Sequence, residues 1–335
     1  MSAATQLYVS TLVVYFFVNA IACWGLDLQF GVTGVLNFAF VVFQAAGAYA
    51  VALFSLGPAS TSGGFQRYVG GYDLPFPIPL VGAMLVGAAL AAVIGWVGLR
   101  RLRADYQAMI MLVVSVVATL IANSEIGLVN GPAGLSLIPR PLAGVLNLAP
   151  ARYSWFFAGL CGLLCAGVGF VCWRLEYSPY GRMLRGVREN EQAVEALGRS
   201  ARRARMQVFI LGGAFAALSG ALLAEFVTAW APNGWEYPET FVFFTAVIVG
   251  GRGSLWGVAL GAAVVAVGVQ QAVQYLPIGS DPTVLASVEW IITGVVTLAF
   301  IWFRPQGLIP ERRRRFRMMP GLREDPHAGL LEEVA

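Results

Sequence analysis

The sequence predicts an all-α fold, a polytopic integral membrane helical bundle of about eight to ten membrane segments, some of them discontinuous or re-entrant. Three observations carry that prediction. Of the 335 residues, 58% are hydrophobic and only 12% charged, with a mean hydropathy of +0.71, which is far from the composition of a soluble domain. Apolar runs of about 20 residues, the length at which a helix crosses hydrocarbon, recur along the chain. The arginines gather between these runs and after the last one, as the positive-inside rule expects of a single membrane face.

The same composition removes several chemistries. All 22 basic residues are arginine, so there is no lysine for a phosphate-binding loop or a Schiff base. If ATP drives this protein, another chain binds it. The single histidine, His327, falls in the polar C-terminal stretch, which rules out His-ligated metal centres and Ser-His or Cys-His dyads in the apolar part. Cys161, Cys165 and Cys172 share one apolar run and Cys23 lies in another; buried thiols of this kind read as small core residues. No cofactor or metal is expected on this chain, and nothing in it points to nucleic acid. The N-terminus has no basic region before its long apolar run, so the first helix is expected to be retained.

The first membrane segment runs from Leu7 to Leu26. It leads into Gly25–Phe40, where Asp27, Gln29 and Asn37 bracket Gly31 and Gly34. Such a stretch is either a tight surface loop or a discontinuous helix along a path, because non-helical backbone at membrane depth needs protein or water around it. A second helix is expected over Val35–Leu56, and the Gly-, Ser- and Pro-rich residues Gly57–Pro79 read as an external loop. Leu80–Leu99 crosses next and stops at Arg100, Arg101 and Arg103; Tyr106–Ala122 returns and ends at Asn123, Ser124 and Glu125. Asn130–Pro141 holds too many breakers for a helix and falls outside by parity. Tyr153–Trp173 comes back in. Beyond a charged island, Met206–Thr228 crosses outward and Ala231–Pro238 turns. Phe241–Val249 is too short to span alone, which fits a re-entrant half-helix or a longer tilted helix starting near Glu239. Leu255–Tyr275 and Leu285–Phe303 complete a membrane domain over residues 1–310, and 311–335 read as a basic, disordered cytoplasmic tail whose arginines meet anionic headgroups.

The charged island, Glu176–Arg205, cannot lie in hydrocarbon, and its arginines put the loop 174–205 at the cytoplasmic face. Ser178-Pro179 reads as an N-cap followed by proline at the first helical position, and Gly198 as the C-terminal stop. The spacing predicts one amphipathic helix between them. Met183, Val187, Val194 and Leu197 fall on one face, with Arg182, Arg185, Glu189 and Gln192 on another. Such a helix either docks a partner or is a solvated loop held by headgroups.

One internal echo bears on a path. Gly31-x-x-Gly34-x-Leu36 returns as Gly250-x-x-Gly253-x-Leu255, and paired glycine interruptions in two halves are the sequence mark of a transport route. Asp27, Gly31, Gly34, Asn37, Gln44, Gly250 and Gly253 are therefore the candidate path residues. A charge at mid-bilayer costs ~3 kcal/mol or more. Asp27 and Arg252 stand out, each in or beside a break, while Glu125, Glu225 and Glu289 fall near predicted outer ends. So few charges argue against an ion-coupled pump, and the lack of His, Lys and paired carboxylates argues against an intramembrane enzyme.

Four stretches, taken in order, resemble one family. Ser178–Gly198 (SPYGRMLRGVRENEQAVEALG), Leu211–Phe226 (LGGAFAALSGALLAEF), Gly250–Ala262 (GGRGSLWGVALGA) and Phe303–Ile309 (FRPQGLI) look like the membrane-permease subunits of branched-chain amino-acid ABC importers, a family that includes urea and short-amide permeases. The likeness runs from about Gly25 to Ile309. It implies a transport subunit rather than an enzyme, multi-pass in a bacterial-type inner membrane with a cytoplasmic C-terminus. Its implied partners are a second permease subunit (a homologue or a second copy), two cytoplasmic ABC ATPases that carry the ATP and Mg, and an extracytoplasmic substrate-binding protein. On the matching positions, the resemblance implies that Ser178, Gly181, Arg182, Arg185, Arg188, Glu189, Asn190 and the turn Glu195-Ala196-Leu197-Gly198 form the ATPase-coupling element. The implied cargo is a branched-chain or other hydrophobic amino acid. A urea or short-amide permease is the alternative within the family, and an ion-coupled secondary transporter the alternative from another class. Leu36-Asn37-Phe38-Ala39-Phe40 stands where one subunit type reads Leu-Ser-Leu-Gly-His and looks more like the partner subunit's version.

Overall fold

The apolar runs fold as helices whose ends are set by capping groups, prolines and glycines. The structure, a computed structural model, describes residues 3–58, 65–99, 104–146, 148–274 and 282–311. Arg100, Arg101, Arg103, Tyr275, His327 and the arginine run and tail from 312 onward lie outside the described residues. In chain order the helices are α1 (Ala3–Asp27), α2 (Phe40–Ser55), α3 (Ile78–Gly98), α4 (Ala104–Ser124), the short α5 (Ile126–Val129) and α6 (Ala143–Leu146), and α7 (Pro150–Tyr177). They continue as α8 (Pro179–Glu189), α9 (Glu191–Ala196), α10 (Ala201–Val227), α11 (Glu239–Gly250), α12 (Leu255–Gly261), α13 (Gln270–Gln274) and α14 (Pro282–Phe303). Pro150 opens α7 at a position whose N–H has no helical partner anyway, and Ser200 Oγ caps α10 by accepting from Arg203 N.

Among the described residues, six helical stretches are long and apolar enough to cross a membrane, and α2 and the end of α14 form two shorter apolar helices. The predicted multi-pass bundle is what the chain builds. Two boundaries differ from expectation. The helix expected over Val35–Leu56 begins only at Phe40, because Gly34 takes φ +75° and Asn37 Oδ1 accepts the Ala39 N–H, which ends one helix and starts another. After α12, residues Ala262–Val269 widen into a π-type stretch before α13, so the run from Leu255 is continuous but not regular.

Small residues bring the backbones at the centre close together. A Cβ on Gly47 of α2 would come within 2.5 Å of the Ala217 carbonyl carbon on α10, and one on Gly220 within 2.6 Å of the Gln44 carbonyl carbon. Gly87 and Ala91 of α3 meet Ala217 and Gly213 of α10 in the same way. Without a hydrophobic driving force between helices in lipid, such close approach supplies the dispersion contacts that hold them together. α10 is thus the central helix, buried along most of its length, whereas α3 and α4 turn Leu85, Val93, Trp96, Val113 and Leu120 outward. α1 lies along α7, where Gly162 and Gly169 leave room for Phe17 and Trp24.

The stretch Asn130–Pro141 folds without a long helix, as its breakers predict. Leu135–Ser136 pairs antiparallel with Ala229–Trp230, and Gln66 closes over the pair, its amide donating to Ser136 O at 3.1 Å and to Oγ at 2.7 Å while its oxygen accepts from Ser136 N. These segments gather at one end of the bundle. The charged island and the end of α14 gather at the other.

Candidate functional site

The island is not one helix but two. Ser178 Oγ accepts from Gly181 N at 3.1 Å and starts α8 where the sequence places the cap. The helix then breaks at Asn190 (φ −155°, ψ 100°), whose side chain accepts from Ala193 N at 3.1 Å and caps α9. Gly198, at φ +76°, ends it. The break shifts the register of everything after it. Met183, Val187 and Val194 pack with Ala201 beneath the pair and Leu184 joins the main core, but Leu197, expected on the same face, sits past the end of α9 and is 82% exposed. Glu195, Ala196, Leu197 and Gly198 together form an exposed turn. An ion pair from Arg205 Nη1 to Glu191 at 2.9 Å ties α9 to α10. Burial raises the Tyr180 phenol above its usual pKa, and its hydroxyl donates to Gln207 of α10 at 2.6 Å.

The polar face divides as well. Arg182, Glu189, Gln192 and Asn190 are exposed, whereas Arg185 and Arg188 turn inward, contrary to a face made only of solvated charges. Their target is Glu311, just beyond α14. Arg188 Nη2 donates to Glu311 Oε2 at 2.9 Å, and Arg185 Nε lies 2.6 Å from Oε1 without the alignment of a hydrogen bond, a Coulombic contact. Arg188 Nη1 also donates to the carbonyl oxygen of Gly31, and Arg185 Nη1 to that of Glu176 at 3.3 Å.

Both glycine breaks converge on this point. Asp27 Oδ1 accepts the Gly253 N–H at 2.8 Å across 226 positions of sequence. Past Asp27 the helix widens into a π-type turn over Leu28–Val32 and then loses helical backbone until Phe40. Its polar side chains serve that break: Asn37 Nδ2 donates to Gln29 Oε1 at 2.8 Å, and Gln29 Nε2 donates to Phe209 O of α10 at 2.9 Å. Buried irregular backbone is tolerated because these groups satisfy it. The stretch is thus a buried discontinuity rather than a surface loop. At the second break α11 starts at Glu239, stops at Gly250, and is about 18 Å long at 1.5 Å per residue. That is half a membrane. Gly251 and Gly253 turn the chain with φ of +112° and +73°, a conformation glycine adopts without strain. The segment after α14 lies on this turn, with Leu308 N donating to Val249 O at 2.8 Å and Ile309 N to Gly250 O at 3.0 Å.

A cavity of about 570 Å³ opens beside the breaks. Phe30, Leu36, Phe38, Phe241, Phe244 and Trp290 make its walls, with Thr245, Thr293 and Thr297 as its polar groups. The rings interlock, Phe30 and Phe38 lying 5.1 and 5.2 Å from Phe244.

Residues 8–301 match the family described as the permease component of the branched-chain amino acid transport system. The chain belongs to that family. Over 91% of its length this permease is 27% identical to the probable branched-chain amino acid transport permease protein LivM of Methanocaldococcus jannaschii, covering 94% of that protein. Over 89% of its length it is 30% identical to the high-affinity branched-chain amino acid transport system permease protein LivM of Escherichia coli, covering 69% of that relative. A shorter likeness, 37% over 93 residues, joins it to the probable ABC transporter permease protein YphD of the same organism. No solved structure matches the chain. The permease is a transport component, not an enzyme, and a multi-pass membrane protein.

The residues singled out in the permease sequence fall into two groups. Asp27, Gly31 and Gly253 meet at one junction, with Gly34 beside Arg188 and Asn37 holding the first break in shape, while Gly250 packs against Gly257 of α12. Gln44 lies apart, buried where α2 crosses α10. None of these seven lines the aromatic cavity. Arg252 is exposed on the turn, and Glu225, within a turn of the end of α10, is only 3% exposed. The cavity wall is what sequence reasoning missed. Its signal was present in four phenylalanines, Phe30 and Phe38 within the first break and Phe241 and Phe244 on the half-helix before the second, which hydropathy alone does not separate from lipid-facing residues.

Proposed function

We propose that this permease is one of two membrane subunits of an ATP-driven importer of branched-chain or other hydrophobic amino acids. Two cytoplasmic ABC ATPases dock on α8–α9, and an extracytoplasmic binding protein delivers the amino acid to the opposite end. ATP and Mg sit on the ATPases. The observation that carries this reading is the exposed turn Glu195–Gly198, with an apolar Leu197 at its tip, on a helix pair whose inner face reaches both membrane breaks. An exposed large apolar side chain at the tip of a rigid capped element is how a docking surface looks.

Charge supports the orientation. Arginines of the island and beyond α14 support a cytoplasmic side for those segments by the positive-inside rule, in a bacterial-type inner membrane on this reading. The cavity favours an amino acid with an apolar side chain over urea, since its walls are aromatic and aliphatic and its volume lies in the ~300–1,000 Å³ range of small-molecule sites. The names of the two LivM relatives support the same cargo.

The test is a detergent affinity purification of the permease co-expressed with branched-chain-type ABC ATPases. The ATPases are expected to co-purify with the unaltered chain and to be lost when 195–198 is replaced by Ser-Gly-Ser-Ser, with membrane insertion unchanged. ATPases that stay bound to the replaced chain, together with normal uptake, would refute docking at this turn.

A further inference from the structure

We propose that Glu311 is the joint through which movement of α8 reaches both broken membrane segments, a positioning residue for transport that rests on the importer reading above. The argument starts from where Glu311 sits. It is the first residue past the FRPQGLIP segment, and that segment is hydrogen-bonded to the end of α11 by Leu308 and Ile309. Its carboxylate faces the Gly250–Ser254 turn closely enough that a Cβ on Gly253 would fall 3.1 to 3.3 Å from its carboxyl atoms. From the other side it holds Arg185 and Arg188 of α8 at 2.6 and 2.9 Å.

One carboxylate therefore joins the helix pair to the second break, and the same Arg188 joins that pair to the first break through the Gly31 carbonyl. The two breaks are themselves fastened by Asp27 and Gly253. This closes a ring: α8, Glu311, the Leu308–Ile309 backbone on the end of α11, the turn to Gly253, Asp27, Gly31 and back to Arg188. A rigid-body shift of α8 cannot occur without either dragging both breaks or opening the pairs at Glu311. The local charges suit such a switch. Asp27 lies in the field of Glu311, Arg188 and Arg185, and Glu176 in that of Asp27, Arg185 and Glu311, so three carboxyls share two guanidiniums. In this arrangement both guanidiniums pair with Glu311, and coupling between distant sites needs such a shared element whose equilibrium both sites bias.

The test uses Glu311→Gln, Glu311→Asp and Arg188→Gln in the assembled transporter with its ATPases, second permease and binding protein. Expected for Glu311→Gln are ATPases co-purified at unaltered stoichiometry, basal ATP hydrolysis within twofold, and amino-acid uptake reduced at least tenfold. Glu311→Asp, which keeps the charge, should recover at least half of the uptake. Adding Arg188→Gln to Glu311→Gln should cost less than the sum of the two single losses, because the Arg188–Glu311 pair is removed by either change. A second readout needs no ATPase: in the isolated permease Glu311→Gln should speed amide hydrogen exchange at least tenfold in both 28–35 and 250–254. Uptake within twofold of the unsubstituted transporter, loss of uptake only together with loss of the ATPases, or exchange that rises at one break alone would each overturn the joint. If the unsubstituted complex shows no ATP-dependent uptake, the importer reading fails instead, and exchange still decides whether Glu311 links the breaks.

Discussion

Substituting Gly31 with alanine tests the junction of the two breaks with a single methyl group. Gly31 does not need a glycine-only backbone conformation, so the change introduces no torsional strain of its own. The added Cβ would lie 2.8 Å from both Asp27 Cγ and Gly253 N, and nearer still to Asp27 Oδ1. Carbon contacts settle at about 3.5–4.0 Å, so the carboxyl must retreat by about 0.7 Å or more. The Asp27–Gly253 hydrogen bond, 2.8 Å long, then passes beyond bonding distance. Overpacking costs about 1–3 kcal/mol, and leaving the buried Gly253 N–H unpaired costs about 1–3 kcal/mol more. The sum is about 2–6 kcal/mol, and the share that passes through the Asp27 side chain is separable from the clash with the Gly253 backbone. A thermal unfolding cycle in detergent, followed by tryptophan fluorescence, separates that share. Gly31→Ala should lower the midpoint clearly in the natural background and by less in an Asp27→Ala background, where the backbone contact with Gly253 N persists but no hydrogen bond is left to break. Contacting residues show coupling of about 0.5–3 kcal/mol in such cycles. Equal decrements in the two backgrounds would show that Gly31 and Asp27 are energetically independent and would refute the junction.

Other outcomes follow from the same packing. Leu197→Glu should weaken ATPase affinity at least tenfold while leaving the unfolding midpoint unchanged, because the side chain is 82% exposed; equal affinity by surface plasmon resonance would move docking elsewhere. Asn190→Ala removes the cap of α9 at a cost of about 1 kcal/mol, which should be read as roughly fivefold faster amide exchange at Ala193 with α8 unaffected. Gly47→Val drives two methyl groups toward the Ala217 carbonyl and should separate α2 from α10, lowering the yield of monodisperse protein and the unfolding midpoint; the conservative Gly47→Ala should do the same to a lesser degree.

The parts legible in the sequence are those governed by local chemistry. Hydropathy located the spans because a run of about 20 apolar residues has few alternatives to a membrane helix. Glycines among polar residues marked both breaks, and the Gly31 and Gly250 echo pointed to two places that touch in the fold. What the sequence does not display is which groups meet. Asp27 had no assignable partner because its partner is a backbone N–H 226 positions away. Asn190 fits the exposed face of a single helix as well as it fits a cap, so the division of α8 from α9 was not visible, and Leu197 went to the wrong face with it. Nothing in the sequence pairs Arg185 and Arg188 with an acidic group inside the protein. Only the return of Glu311 to α8 from beyond α14 distinguishes them.

The most direct test of the proposed function is uptake of labelled leucine into proteoliposomes that hold the permease, a second permease subunit and the ATPases, with the binding protein outside. ATP enclosed in the vesicles should drive leucine accumulation that collapses without ATP and does not respond to a proton or sodium gradient. Accumulation driven by an ion gradient in the absence of ATP, or transport of urea with none of leucine, would contradict it.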